Sequence, residues 1–250
     1  MIPVGDSVRS RTIPYVNLAI IALNLLVFVY ELTLGSELNR NRFLCDWGII
    51  PGDVTNFFAP PSRPELLLGP CGLSSSQVGA GVLLRPFTAM FMHAGWFHIL
   101  GNMLFLWIFG DNVEDALGHL RYLLFYLICG LGAAAAQILM TPHDLLPAVG
   151  ASGAIAGVMG AYLVLYPRAN IAVVIPLLIL LGAFYIPAVL LIGMWFLVQL
   201  FSGVASIGYA TGGSGGVAWW AHIGGFLVGM LLIALFRPRR RSPYGPLRYR

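Results

Sequence analysis

Residues 150–162 read GASGAIAGVMGAY and residues 221–230 read AHIGGFLVGM. Both stretches lie in apolar runs long enough to cross a membrane, yet the first carries Ser152 and the second His222, each among glycines. A nucleophile and a base placed where water is scarce are candidates for function, because ionisable groups are costly in hydrocarbon. Around them, 58% of the 250 residues are hydrophobic and 10% are charged, which excludes an ordinary soluble domain and fits a polytopic membrane protein.

Crossing ~30 Å of hydrocarbon takes about 20 helical residues. That ruler predicts spans near 14–34, 94–113, 120–140, 150–167, 185–203 and 218–236. The predicted organisation is a short cytoplasmic N-terminus (1–13), a six-helix core (14–236) and a basic cytoplasmic tail (237–250). The stretch 170–203 is too long for one span and too short for two with a turn. Pro176, Gly182 and Pro187 interrupt it, so 171–183 reads as an interfacial or re-entrant segment and 185–203 as the crossing helix. The first apolar run, Ile13 to Leu34, is too long for a signal peptide and is not followed by a small-residue cleavage site.

Every basic residue is an arginine, fourteen against ten acids, and six of them lie in the last fourteen residues. Such a tail reads as a cytoplasmic terminus rather than a nucleic-acid surface. With the N-terminus inside, Arg9, Arg11, Arg121, Arg168 and the six tail arginines are internal, while Arg40, Arg42, Arg63 and Arg85 are external. The positive-inside rule therefore places both termini in the cytoplasm. The segment 35–93 becomes a long first external loop, rich in proline, glycine and serine, and loops of that length are either functional or loosely ordered. Cys45, Cys71 and Cys129 show no metal spacing. A Cys45–Cys71 disulfide requires an extracytoplasmic loop, and Cys129 lies in an apolar run where packing is its expected role.

Under this topology the second, fourth and sixth spans all run inward, and each carries its polar group near its start. His98 with Asn102, Ser152, and His222 then share one depth. Trp219 and Trp220 suit the interfacial aromatic belt, and His222 lies ~3 Å further in at helical rise. Ser152, Ala156 and Gly160 recur at intervals of four with Gly153 and Gly157 alongside, and Ala221, Gly225 and Gly229 do the same in the sixth span. Small residues so spaced let membrane helices approach closely, as a short serine–histidine bond demands. His98 and Asn102 are separated by ~40° around a helix and are able to offer donors to one oxygen, with the Ser152 amide as another. His93 is expected on a different face, which argues against a two-histidine metal pair. Gly212-Gly213-Ser214-Gly215 repeats the Gly-x-Ser-Gly pattern, but no helix opens from that serine, so it reads as a loop.

The ordered set His93-(x)4-His98-(x)3-Asn102, Glu114-(x)3-Gly118, Gly150-Ala151-Ser152-Gly153 and Ala221-His222-(x)2-Gly225-(x)3-Gly229 closely resembles the rhomboid family of intramembrane serine proteases. The resemblance implies an all-α bundle of six transmembrane helices with a long first external loop, in which Ser152 is the nucleophile and His222 the general base. His98, Asn102 and the Ser152 amide would form the oxyanion hole, the loop 204–217 a cap, and Trp195 and Phe196 a lateral gate. It implies single-span transmembrane substrates in a lipid bilayer, cut near the outer face after a small residue, with no metal, cofactor or nucleic acid. The expected location is the plasma membrane, the inner membrane of a bacterium. In two places the chain departs from the family pattern. A frequent Trp-Arg pair is here Leu84-Arg85, and the aromatic that often stacks on the histidine is here Ala156. Two other readings are a non-catalytic rhomboid-like binder of transmembrane helices and a transporter using His98, Asn102 and His222 as a polar path.

Overall fold

The computed structural model describes residues 2–59, 67–69, 71–74, 79–175, 182–207 and 216–236. The arginine tail, the second Gly-x-Ser-Gly copy and much of the expected cap lie outside them. In chain order the elements are β1 (Ile2–Asp6), α1 (Tyr15–Thr33), α2 (Glu37–Trp47), α3 (Pro51–Phe58), β2 (Leu67–Gly69), β3 (Gly72–Ser74), α4 (Arg85–Thr88), α5 (Trp96–Leu117), α6 (His119–Met140), α7 (Ser152–Leu165), β4 (Asn170–Val174), β5 (Phe184–Pro187), α8 (Ala188–Ser206) and α9 (Trp219–Leu235). Helices α1, α6 and α8 are each long and apolar enough to cross a membrane. The segment Ala80–Phe91 meets α5 at 76° to make a fourth candidate span, while α7 and α9 are apolar but shorter. The chain is a mostly helical, multi-pass membrane protein.

Helix α7 lies at the centre. Ten of its residues, from Gly153 to Tyr162, are buried, and its principal neighbours are α9, α6 and α5. Outward-facing apolar side chains are concentrated on the peripheral helices, with Leu26, Val29, Met194, Phe201, Leu231 and Leu235 all exposed, as helices bordering lipid require. Several buried polar groups pair between helices. The Tyr122 hydroxyl donates to Asn17 Oδ1 at 2.7 Å, and Asn17 Nδ2 donates to the Leu106 carbonyl at 3.1 Å, linking α6, α1 and α5. Glu114 is fully buried and accepts the Val16 and Asn17 amides at 3.0 and 2.7 Å, so a carboxylate caps the positive start of α1. Gly118 then turns the chain from α5 into α6 at φ +83°, a conformation that favours glycine.

A helix occupies each of the six predicted apolar segments, with shifted ends. The largest shift is in 171–203. Strand β4, with the β-branched residues Ile171, Val173 and Val174, pairs with both β1 and β5, giving a three-stranded antiparallel sheet in the order β1-β4-β5. Thus Ile2–Asp6 pairs with a segment some 170 residues later in the chain, and the sheet packs where α7 ends. Because Phe184–Pro187 is a strand, α8 starts at Ala188 rather than 185, just after a proline that has no N–H to give a preceding ladder.

Candidate active site

Ser152 is the first residue of α7, where backbone N–H groups have no intrahelical acceptor. The turn before it depends on Gly150, whose φ is +124° and whose amide donates to the Ala89 carbonyl at 2.8 Å. A Cβ there would lie 2.6 Å from His98 Nε2, so only glycine lets His98 reach the start of α7.

The helix carrying His222 is brought in by backbone contact. A Cβ on Gly225 would fall 2.0 Å from the Gly153 carbonyl oxygen, and one on Gly160 would fall 2.4 Å from that of Phe226. The glycines that meet α9 are therefore Gly153, Gly157 and Gly160. These are the three α7 glycines that the sequence places on and beside the row Ser152, Ala156 and Gly160, and Ala156 is buried within the main core cluster. Helix α9 is positioned at its start as well, where the Ala221 amide donates to Gln137 Oε1 at 3.1 Å. Across this seam Ser152 Oγ lies 2.7 Å from His222 Nε2, within hydrogen-bonding reach of a nucleophile and its base.

On its other side His222 Nδ1 lies 2.8 Å from Gln199 Oε1, in α8. Sequence reading missed this residue, although a signal was there: Gln199 is the lone amide in the apolar run of α8. The ring of Trp195 lies tilted against His222 at 5.9 Å between centroids, and Trp219 meets it edge-on at 6.3 Å. Aromatic neighbours thus come from α8 and α9, where α7 offers Ala156. Phe196 stacks on Phe226 at 4.5 Å, and Trp195, unlike Phe196, borders the cavity that opens on Ser152.

His98 and Asn102 both face the serine from α5, as their spacing predicts. His93 differs from its expected position. Helix α5 begins only at Trp96, so His93 precedes it and helical spacing does not apply. The chain turns back, and His93 Nε2 takes a hydrogen bond from Asn102 Nδ2 at 2.9 Å, with the His93 and His98 rings edge to face at 5.0 Å. Glu31 in turn accepts the His93 amide at 3.2 Å. Asn102 Nδ2 carries a second hydrogen, which is left to address the cavity.

That cavity measures about 790 Å³ and has Ser152, His222, His98 and Asn102 in its wall. Gly216 and Val217, the described end of the expected cap 204–217, also line it beside Ala218, while residues 204–206 of that expected loop belong to α8. So do Asn41, Leu44 and Cys45 of α2, and Cys45 is joined to Cys71 by a disulfide. Cys129 is free and buried against Gly157 of α7. Arg85, from the Leu84-Arg85 departure, pairs with Asp53 of α3 at 2.6 Å and so ties this region together internally.

A Rhomboid domain family model matches residues 80–239. Among curated proteins, RHOMBOID-like protein 1 of Arabidopsis thaliana is 31% identical over 159 residues, covering 60% of this chain and 39% of the relative. Rhomboid-like protein 11, chloroplastic, of the same plant is 34% identical over 148 residues, covering 59% and 50%. Rhomboid protease GluP of Bacillus subtilis (strain 168) is 35% identical over 102 residues, covering 41% and 20%. The chain spans half or less of the length of these relatives.

Proposed function

The chain belongs to the rhomboid family, and from that premise we propose that it is an intramembrane serine endopeptidase that cuts single-span transmembrane proteins near the outer membrane face. The observation that carries this reading is the 2.7 Å contact of Ser152 Oγ with His222 Nε2 in a cavity walled by apolar helices. In the proposed reaction Ser152 Oγ attacks the scissile carbonyl while His222 Nε2 takes its proton, then returns it to the leaving amine. The developing oxyanion is met by the Ser152 amide, Asn102 Nδ2 and His98.

The proposed topology has six crossings with both termini cytoplasmic. Arginine placement supports it, and so does the Cys45–Cys71 disulfide, which belongs on an oxidising side and borders the cavity. Substrate enters between α5 and α8. Helix α8 leans chiefly on α9, and α5 presents Phe97 almost fully exposed beside the cavity. The entering helix must unwind there, because a helical carbonyl is already hydrogen-bonded.

Purified, detergent-solubilised protein should cleave a single-span substrate with helix-weakening residues near its outer boundary, and Ser152→Ala should abolish cleavage. A serine-directed fluorophosphonate should label Ser152 in the native chain. Cleavage retained by Ser152→Ala would overturn the assignment, whereas helix binding without cleavage or labelling would identify a non-catalytic binder.

A further inference from the structure

We propose that Gln199 is a positioning residue for the reaction: its amide oxygen selects the tautomer and fixes the ring of His222, so that Ser152, His222 and Gln199 form one hydrogen-bonded chain. The inference rests on the protease reading and adds to it a member supplied by a different helix.

The direction of each hydrogen bond can be worked out from its end. Gln199 Nε2 lies 3.0 Å from the Trp195 carbonyl oxygen, one turn earlier in α8. A carbonyl only accepts, so the amide nitrogen must face Trp195 and the amide oxygen must face His222. The reversed amide would set two oxygens against each other. Gln199 Oε1, 2.8 Å from His222 Nδ1, likewise only accepts, so Nδ1 carries the proton. Nε2 is then the bare nitrogen, and it is the one 2.7 Å from Ser152 Oγ. Backbone geometry of α8 thus dictates which nitrogen of His222 is the base.

Among the described residues, nothing else at His222 does this. Trp195 and Trp219 hold the plane of the imidazole through ring contact but do not distinguish its two nitrogens. Ala156 gives no aromatic support from α7. Gln199 is 5% exposed and lies in an apolar helix, where a carboxylate would have to be buried as a net charge. A neutral amide provides the acceptor without that cost. During attack, Ser152 Oγ bonds the substrate carbonyl carbon and its proton moves to Nε2. The Nδ1 proton stays on His222, shared with Gln199 Oε1, and no proton passes to the amide. As the C–N bond breaks, the Nε2 proton leaves with the amine.

The test compares Gln199→Leu and Gln199→Glu with the native chain. Removing a hydrogen bond to a group that becomes charged lowers kcat by about 10–100-fold in Gln199→Leu, with KM within about twofold. Gln199→Glu, as the neutral acid, donates its carboxyl proton to the Trp195 carbonyl and still accepts from Nδ1, so it retains activity. In 15N-histidine spectra, with His222→Ala for assignment, the native chain shows His222 protonated on Nδ1, and Gln199→Leu loses that preference. Native kcat, pH profile and tautomer in Gln199→Leu would overturn the proposal, as would equal inactivity of both variants with equally lowered melting temperatures. A native chain that neither cleaves nor labels at Ser152 would instead overturn the protease reading, and the 15N tautomer would still decide the His222–Gln199 bond.

Discussion

Gly229 and Gly157 stand so close that a Cβ built on Gly229 would lie 2.0 Å from the Gly157 carbonyl oxygen and 2.5 Å from its Cα. Backbone, not side chain, blocks that position, so it has no rotamer to yield. Gly229→Ala forces α9 away from α7 and is expected to destabilise the fold by about 1–3 kcal/mol through overpacking. Cleavage should fall too, since the same seam sets the Ser152–His222 distance. A methyl on Gly193 in α8 would meet nothing within 4 Å among the described residues, so Gly193→Ala is the control and should gain up to about 1 kcal/mol from helix propensity. Thermal denaturation in detergent of both variants checks the contrast.

Asp6 links pH to stability at the other end of the molecule. It lies on β1, outside the spanning helices, and its Oδ2 accepts from the Tyr162 hydroxyl and from Asn112 Nδ2, the latter at 2.9 Å. Burial raises its pKa from 3.8 to about 6, opposed by the Tyr162 bond and reinforced by Asp111. The folded chain therefore holds this proton more tightly than the unfolded one. Stability from protonated Asp6 is fully present below about 3.8 and is lost as pH rises through about 6. Melting temperature should fall between about pH 4 and pH 6 from this source, and Asp6→Asn should flatten that slope. An unchanged slope in the variant would remove Asp6 as the cause.

The disulfide carries a kinetic prediction. Cys45 and Cys71 enclose a separation of 26 residues, a loop for which cross-linking is worth about 3.5 kcal/mol. Because Asn41, Leu44 and Cys45 line the cavity, loosening α2 should weaken substrate binding more than chemistry. Reduction, or Cys45→Ser, should lower the melting temperature and raise KM severalfold with kcat nearly unchanged, the mark of lost ground-state binding. A fall in kcat at constant KM would show instead that α2 supports the catalytic groups.

What the sequence reveals here follows from what is local. Apolar run length locates α1 and α5 to α9, and the glycine spacing of 153, 157, 225 and 229 announces a close seam. How closely the backbones approach across that seam needs the structure, where a Cβ on Gly225 would fall 2.0 Å from the Gly153 carbonyl oxygen. Contacts distant in sequence are out of reach. The pairing of Ile2–Asp6 with Asn170–Val174 joins the two through a sheet that neither strand announces alone. His93 is misplaced by a helical wheel because it lies before the helix begins. Gln199 is visible as an amide among apolar residues, but its meaning requires knowing that α8 packs on α9.

Gly150 offers the sharpest test of the oxyanion donors. At φ +124° an L side chain is strained, and its Cβ would lie 2.6 Å from His98 Nε2 but 3.6 Å from Asn102 Nδ2. Gly150→Ala thus pushes on His98 and barely touches Asn102. If His98 donates to the oxyanion, the variant should lose about 10²–10³-fold in kcat, the usual loss of one such donor. His98→Ala should lose a similar amount without the backbone strain. The double variant decides the route: groups acting through one another are non-additive, so Gly150→Ala placed on His98→Ala should cost little further activity. Fully multiplied losses would mean that Gly150 serves the Ser152 turn itself, through the bond from its amide to Ala89, rather than making room for His98.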